Sequence, residues 1–276
     1  MTALPASPVV LITGCSSGIG AALAQAFHSA GCTTCASARR PEALAPLREA
    51  GLEGHALDVT DGESIRAAVA EIERVHGGID LVVNNAGIPV MGPVAEVPLA
   101  DLRRLWETNL TGAVAVVQAV APGMMARGRG RIVNIGSVSG VLTTPFAGPY
   151  CASKGALHHL NDALRMELAP YGVEVLLVQP GAVRSGFGDS ARRQTDAHDW
   201  MLYASHREGI ARRAGESQRG GMPAPDFAAA CVRYALAPKP RPIIRIGPGS
   251  GLLPRLARVP VAIRDRLLSR RFGLRR

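Results

Sequence analysis

The 276-residue sequence is poor in aromatics, at 4%, and holds only five cysteines. So small an aromatic share leaves a core built mainly from aliphatic side chains. A small, odd number of cysteines excludes a disulfide framework as the source of stability. Cys32 and Cys35 form the one C-x-x-C. They sit in a strand-like run, where positions i and i+3 point to opposite faces and cannot share a metal. No second Cys or His pair stands at zinc-ligand spacing, so no metal is expected. The thiols read as reduced and mostly buried, as in a cytoplasmic protein.

Long apolar runs are also missing. No eighteen consecutive apolar residues occur, so no membrane-spanning helix is expected. The N-terminus lacks a basic segment followed by a long apolar one, so no signal peptide is expected. There is no low-complexity stretch, and no nucleic-acid recognition motif or basic–aromatic interleaving. Nucleic acid is therefore not an expected partner despite the net charge of +9. That charge is uneven: Leu252 to Arg276 contains eight arginines and one aspartate. A basic surface attracts nucleic acid, anionic lipid or a phosphorylated cofactor.

Short aliphatic runs alternate with longer helical patterns. Strands are predicted at Val9–Thr13, Thr33–Ala38, Gly54–Leu57, Leu81–Val83, Arg131–Ile135, Glu174–Val178 and Pro242–Ile246. Near-continuous apolar runs such as Val-Val-Leu-Ile suit strands buried on both faces. Helices are predicted at Ile19–Ala30, Pro41–Ala50, Gly62–His76, Leu99–Met125, Tyr150–Ala169 and Asp226–Ala237, with cap signals such as Asp61 and Pro41 at their starts. The alternation predicts an α/β fold: a doubly wound, Rossmann-type parallel sheet of about seven strands with helices on both faces. One domain over residues 1–250 is expected, with a polar, interrupted segment at 185–225 as its substrate loop or lid. Residues 251–276 form a basic amphipathic extension.

The segment Thr13-Gly14-Cys15-Ser16-Ser17-Gly18-Ile19-Gly20 follows the first strand and opens the first helix. Its glycines allow a tight turn and close approach of backbone to a pyrophosphate, and the helix N-terminus offers free N–H groups. Arg39 and Arg40 follow the second strand, where an NAD-selective site would often place an acid. A guanidinium suits the 2′-phosphate of NADP, so NADP(H) is expected over NAD(H). Asp58-Val59 ends the third strand, where a carboxylate could accept the adenine amino group. Asn84-Asn85-Ala86-Gly87 ends the fourth, where small residues let a cofactor lie across the sheet edge.

Tyr150 and Lys154 stand four apart, on one face of a helix. A neutral phenol is a poor base at pH 7, and a fixed positive charge beside it would favour the phenolate. Ser137 follows the fifth strand, at the carboxyl edge where ligands bind in open sheets. Gly136-Ser137-Val138-Ser139-Gly140 is centred on Val138, so it is not a hydrolase nucleophile elbow. His158 and His159 are adjacent, hence splayed, and are not assigned to catalysis.

Jointly the Gly14–Gly20 turn, Asp58-Val59, Asn84–Gly87, Asn109, Ser137, Tyr150, Lys154 and Pro180-Gly181 resemble a typical single-domain short-chain dehydrogenase/reductase, from Val9 to about Gly247. The details Cys-Ser-Ser-Gly-Ile-Gly and Tyr-Cys-Ala-Ser-Lys are similar to hydroxysteroid and retinol dehydrogenases, which favour lipophilic alcohols and ketones. The resemblance implies that Tyr150 is the general acid in carbonyl reduction and the base in alcohol oxidation. Lys154 would lower its pKa and hold the nicotinamide ribose. Ser137 would bond the substrate oxygen, and Asn109 would hold a water behind Lys154. Pro180-Gly181, Val183 and Ser185 would lie beneath or beside the nicotinamide, Ser185 standing where the family often has threonine. The resemblance also implies a homodimer or homotetramer through the Leu99–Met125 and Tyr150–Ala169 helices.

Trp200 and Tyr203 would either line an apolar substrate pocket or pack the 185–225 segment onto the body. Leu256, Val259, Ile263 and Leu267 recur at helical spacing with arginines around them. That tail would dock on the body or a neighbouring subunit, or adsorb through 252–274 to an anionic membrane at the cytoplasmic face. Pro254 and Pro260 predict a broken helix. The expected activity is interconversion of an alcohol with a ketone or aldehyde. The alternatives are a non-catalytic dinucleotide-binding redox sensor and a nucleic-acid binder using the basic tail.

Overall fold

The run Val-Val-Leu-Ile is buried at all four positions as β1 (Val9–Ile12) because layers cover it on both faces. The computed structural model describes residues 4–274; residues 1–3 and 275–276, the ends of the expected domain and extension, lie outside the described residues. Six more strands join β1 in one sheet: β2 (Thr33–Ala38), β3 (Glu53–Ala56), β4 (Leu81–Asn84), β5 (Gly130–Ile135), β6 (Val173–Pro180) and β9 (Ile243–Ile246). Their order is β3-β2-β1-β4-β5-β6-β9, every pair parallel. Strand order therefore reverses between β1 and β4, the crevice where open α/β sheets bind ligands. Two short strands, β7 (Val183–Arg184) and β8 (Met222–Pro223), pair separately.

Alternation along the strands divides the core in two. Val10, Ile12, Ala36 and Ala38 face α1 (Gly18–Ser29) and α9 (Ala224–Ala235), while Leu11, Cys35, Val82 and Ile132 face α3 (Gly62–His76) and α5 (Gly112–Ala126). Between α1 and α3 lies the five-residue α2 (Ala45–Glu49). Asp61 caps α3, its Oδ1 accepting from Glu63 N at 2.9 Å, and Gly77 ends it in the left-handed region at φ 77°. The predicted helix Leu99–Met125 is three pieces: α4 (Leu99–Trp106), a π turn at Glu107–Thr111, and α5. Tertiary bonds hold the turn open. Asn109 Nδ2 donates to the Ile88 carbonyl at 3.1 Å, and its Oδ1 accepts from Ile88 N at 2.8 Å. The whole stretch Leu99–Ala126 is long and apolar enough to cross a membrane by length and composition. Here Val116, Val117, Val120 and Met124 are buried against the sheet, as in a core helix. Helix α6 (Gly148–Leu168) packs on the same side.

The segment expected as a long interrupted loop is mostly helical: α7 (Gly186–Asp196) and α8 (Arg207–Ala214) run between β7 and β8. Its two ends are tied, since Gln218 Nε2 donates to the Ser185 carbonyl at 2.6 Å. The tail is two helices, α10 (Leu252–Leu256) and α11 (Val261–Arg271), with Pro260 at the start of the second. The expected stripe Leu256–Val259–Ile263–Leu267 does not form one buried face. The break at Pro260 resets the helical phase, so Leu268 and Phe272 dock while Ile263 and Leu267 are exposed. Phe272 seats on α8, where a Cβ on Gly209 would stand 2.0 Å from the Phe272 carbonyl oxygen.

Candidate active site

Two glycines of the turn after β1 are required sterically. Gly14 has φ 75°, and a Cβ there would stand 2.9 Å from the Ala86 Cα. A Cβ on Gly20 would meet the Gly14 carbonyl at 2.1 Å. The helix N-terminus this turn creates has Ser17 in extended backbone, no side-chain cap and no acid in its first turn. Ser16 and Ser17 are exposed, while Gly18 and Ile19 are half-buried. That leaves donors and a partial positive charge facing the crevice, a fit for pyrophosphate. Asn85 braces the turn from β4: its Nδ2 donates to the Thr13 carbonyl at 2.9 Å and the Gly14 carbonyl at 3.2 Å. Thr13 Oγ1 accepts from Asn85 N and Ala86 N, both at 3.1 Å. Thr13 thus shares the work of the glycines, a role that composition alone did not single out.

Arg39 and Arg40 are exposed at the end of β2 and pair with no carboxylate among the described residues. Asp58 spends Oδ1 locally, accepting from Thr60 N at 2.9 Å and Thr60 Oγ1 at 2.8 Å. Val59 is buried against α5, where a Cβ on Gly112 would stand 2.7 Å from its carbonyl. Gly87 is exposed at the end of β4. Pro180 closes β6, and Gly181 passes so near Pro248 that a Cβ would meet its carbonyl at 2.0 Å. Val183 is buried in β7. Ser185 starts α7 beside the glycine turn, its Cβ 3.1 Å from the Cβ that Gly18 would carry.

Tyr150, Ser137, Lys154 and Asn109 converge at the carboxyl edge of β5, all buried. Burial pushes the Tyr150 phenol up to about 12, while a hydrogen bond from Ser137 and the charge of Arg213 pull against it. Lys154 follows Tyr150 by one helical turn on α6. Its Nζ donates to the Ile135 carbonyl at 2.8 Å, and burial pushes the ammonium down to about 8. Asn109 Nδ2 also reaches Ser153 Oγ at 3.2 Å, linking the π turn to α6.

Three residues around this centre escaped sequence reasoning. His158 Nε2 accepts from Ser137 N at 3.4 Å, and burial pushes the ring down to about 4, so it is neutral. Phe187 lies on Tyr150, ring centroids 5.3 Å apart. Arg213 of α8 donates to Thr144 Oγ1 at 2.6 Å and brings a positive charge toward the phenol. None lies within a recognisable motif; all three depend on long-range packing. Trp200 and Tyr203, expected to line a pocket or to pack the 185–225 segment, both make packing contacts. Trp200 is buried on Gly92, its Nε1 donating to the Thr195 carbonyl at 3.1 Å. Tyr203 meets Phe146 edge-on at 6.1 Å. Both rings pack the 185–225 segment onto the body, Trp200 buried and Tyr203 half-buried.

Lys154 carries a measurable stability consequence. Its pKa falls from 10.5 unfolded to about 8 folded, so folding opposes the charged form by about 3 kcal/mol. That cost is full below pH 8 and vanishes toward pH 10.5, so wild-type stability rises with pH across this window. Lys154→Met removes the charge but also the charge-assisted bond to Ile135, worth about 1.5–3 kcal/mol, so the net change at pH 7 is at most about 1 kcal/mol. The readout is the pH dependence: urea denaturation should show wild-type stability rising between about pH 8 and 10.5, and that rise should be missing from the variant. The same rise in the variant would contradict this electrostatic account.

Crevice, phosphate-ready turn and convergent hydroxyl and amine groups define a dinucleotide-binding oxidoreductase of the α/β class. The chain belongs to the short-chain dehydrogenase family, whose model matches residues 8–196. It is 40% identical over 200 residues to a dehydrogenase/reductase SDR family protein 7-like of Anopheles gambiae, covering 68% of this chain and 63% of that one, less than two thirds of its length. It is 32% identical over 240 residues to an NADPH-dependent 3-dehydrocapnine reductase of Ornithobacterium rhinotracheale, covering 84% and 85%. A crystal structure of a short-chain dehydrogenase from Streptomyces avermitilis matches with a TM-score of 0.80 at 32% identity, over 92% of each chain. The fold binds a nicotinamide dinucleotide, and the family acts on small molecules.

Proposed function

We propose that the protein interconverts a carbonyl and an alcohol, lipophilic in character, with NADP(H), using Tyr150 as the proton-transfer group. The single observation that carries this reading is the convergence of Tyr150, Ser137 and Lys154 at the carboxyl edge of β5, in the same parallel sheet whose β1 leads into the Gly14–Gly20 turn. The bound dinucleotide supplies or accepts the hydride. In reduction Tyr150 gives its phenolic proton to the carbonyl oxygen, and Ser137 Oγ donates a hydrogen bond to that oxygen as charge develops. Lys154 would hold the ribose hydroxyls, and Asn109 a water at the π turn. Gly14, Ser16, Ser17, Gly18, Ile19 and Gly20 would cradle the pyrophosphate. Asp58, Val59, Asn85, Ala86 and Gly87 would line the adenosine side, and Pro180, Gly181, Val183 and Ser185 the nicotinamide side. Arg39 and Arg40, exposed and without a carboxylate partner among the described residues, support the 2′-phosphate; so does the NADPH dependence named for the Ornithobacterium relative.

This reading takes residues 1–250 as one catalytic domain, 185–225 as the substrate cover and 251–276 as an appended extension. It places the protein in the cytoplasm as a homodimer or homotetramer. The test is a panel of ketones and aldehydes with NADPH, followed at the absorbance band of the reduced nicotinamide. Turnover of at least one lipophilic carbonyl is expected. Tight NADPH binding with no turnover in either direction would instead favour the redox-sensing module.

A peripheral membrane contact through 252–274 fits the exposed face of the tail. Leu252, Val261, Ile263 and Leu267 are at least half exposed, and Arg258, Arg266 and Arg270 stand among them. Such a face inserts shallowly while its arginines meet anionic headgroups. Full-length protein should co-sediment with phosphatidylserine vesicles, and Ile263→Ser with Leu267→Ser should reduce pelleting at least about fivefold. Equal pelleting of both proteins would remove the membrane contact.

A further inference from the structure

The edge strand β3 carries polar donors where the layer under α3 begins. Side-chain alternation puts Glu53 and His55 on the face that buries Leu57 in that layer. The parallel register sets Cys35 of β2 opposite Glu53. Helix α3 crosses the same face, and its last residue, His76, arrives at the same place. Glu53 Oε2 lies 2.9 Å from His76 Nε2, 3.6 Å from His55 Nε2 and 3.9 Å from Cys35 Sγ. The donor atoms of Cys35, Glu53 and His55 all lie within 4.8 Å of one another. Tetrahedral zinc, with bonds of about 2.0–2.3 Å, sets its ligand atoms roughly 3.3–3.6 Å apart. The three distances measured from Glu53 are within a few tenths of an ångström of that spacing; His76 touches Glu53 but stands outside the 4.8 Å set, so it joins as fourth ligand by turning its ring toward the ion.

One donor of the cluster lacks a hydrogen-bond partner. His55 Nε2 is buried and has no hydrogen-bond partner, the kind of orphan that calls for an explanation.

We propose that Cys35, Glu53, His55 and His76 form a binding site for one divalent cation of the zinc type. A thiolate, a carboxylate and two imidazoles are a borderline-soft set, unsuited to magnesium or calcium. On binding, Cys35 releases its S–H proton to solvent and a sulfur–metal bond forms. Thiolate and carboxylate together then neutralise the double charge, which is what a half-buried site needs. Glu53 is 44% exposed and gives the entry path. Four protein ligands leave no open position, so the ion is structural: it clamps the edge strand to β2 and to the end of α3. The site is built independently of the Tyr150 centre and of the assignment of Arg39.

The test uses full-length protein stripped with a chelator, then titrated with Zn²⁺ against a chromophoric competitor and, separately, with Co²⁺. One equivalent should bind, with a thiolate-to-cobalt charge-transfer band and a higher melting temperature. Cys35→Ser should lose the band. His76→Gln, on the partly exposed end of α3 and so tolerant of change, should weaken Zn²⁺ more than about 100-fold, beyond the loss typical of outer-shell partners. His159→Gln, an exposed imidazole elsewhere, should bind as wild type. No bound equivalent, or affinity unchanged in a folded His76→Gln, would overturn the site.

Discussion

Tyr150→Phe is expected to lower kcat/KM by about 10²–10⁴-fold, the range that a positioned acid–base group contributes. The substitution deletes one oxygen and keeps the ring, so the contact with Phe187 at 5.3 Å survives. NADPH affinity should change by no more than about threefold, because the turn that would cradle the phosphates stands on β1 and β4. The pH dependence has a definite sign. Burial holds the phenol near 12, so the proton-donating form persists through neutral pH. Carbonyl reduction should therefore stay level through neutrality and fall in alkali, while alcohol oxidation, which needs the phenolate, should rise with pH. The alkaline fall of reduction should be missing from the residual rate of the variant. Turnover within tenfold of wild type would contradict the acid–base assignment.

Arg39→Asp is expected to weaken NADPH by about 10²–10³-fold and to change NADH little. A charge-assisted hydrogen bond to a phosphate contributes about 1.5–3 kcal/mol, and an acid in its place adds repulsion of a dianion. Each 1.4 kcal/mol is about tenfold in affinity. Arg39 pairs with no carboxylate among the described residues, so no native ion pair is broken by the change. Fluorescence titration of the reduced nicotinamide measures both affinities. An unchanged NADPH-to-NADH ratio would remove the basis for preferring the phosphorylated cofactor, even if turnover persists.

Much of the fold was legible because its signals are local. Val-Val-Leu-Ile, Asp61 before α3 and the glycines after β1 each act within a few residues of themselves. The predicted strands match the sheet to within one or two residues at most ends. The π turn at Glu107–Thr111 was not legible, because Ile88 and Ser153 hold Asn109 from a distance in sequence. The helical content of the 185–225 segment was not legible for a similar reason. Its helices are polar, and they are held by Trp200 on Gly92 and by Gln218 on Ser185 rather than by a strong apolar period. In the tail the predicted break at Pro260 is present, and it puts the apolar positions on its two sides out of phase.

By itself, the order of residues determined the doubly wound sheet, the phosphate-ready turn and the pairing of Tyr150 with Lys154 on one helical face. Those follow from periodicity and steric rules that operate over a turn or a strand. Only the tertiary structure decided where Lys154 points, which neighbours act on the phenol, and how Phe272 seats on α8. It also brought Cys35, Glu53, His55 and His76 together, although Cys35 shares no short spacing with any of them. Such outcomes depend on burial and on contacts between distant elements, which set local polarity and donor geometry and which no short window of sequence contains.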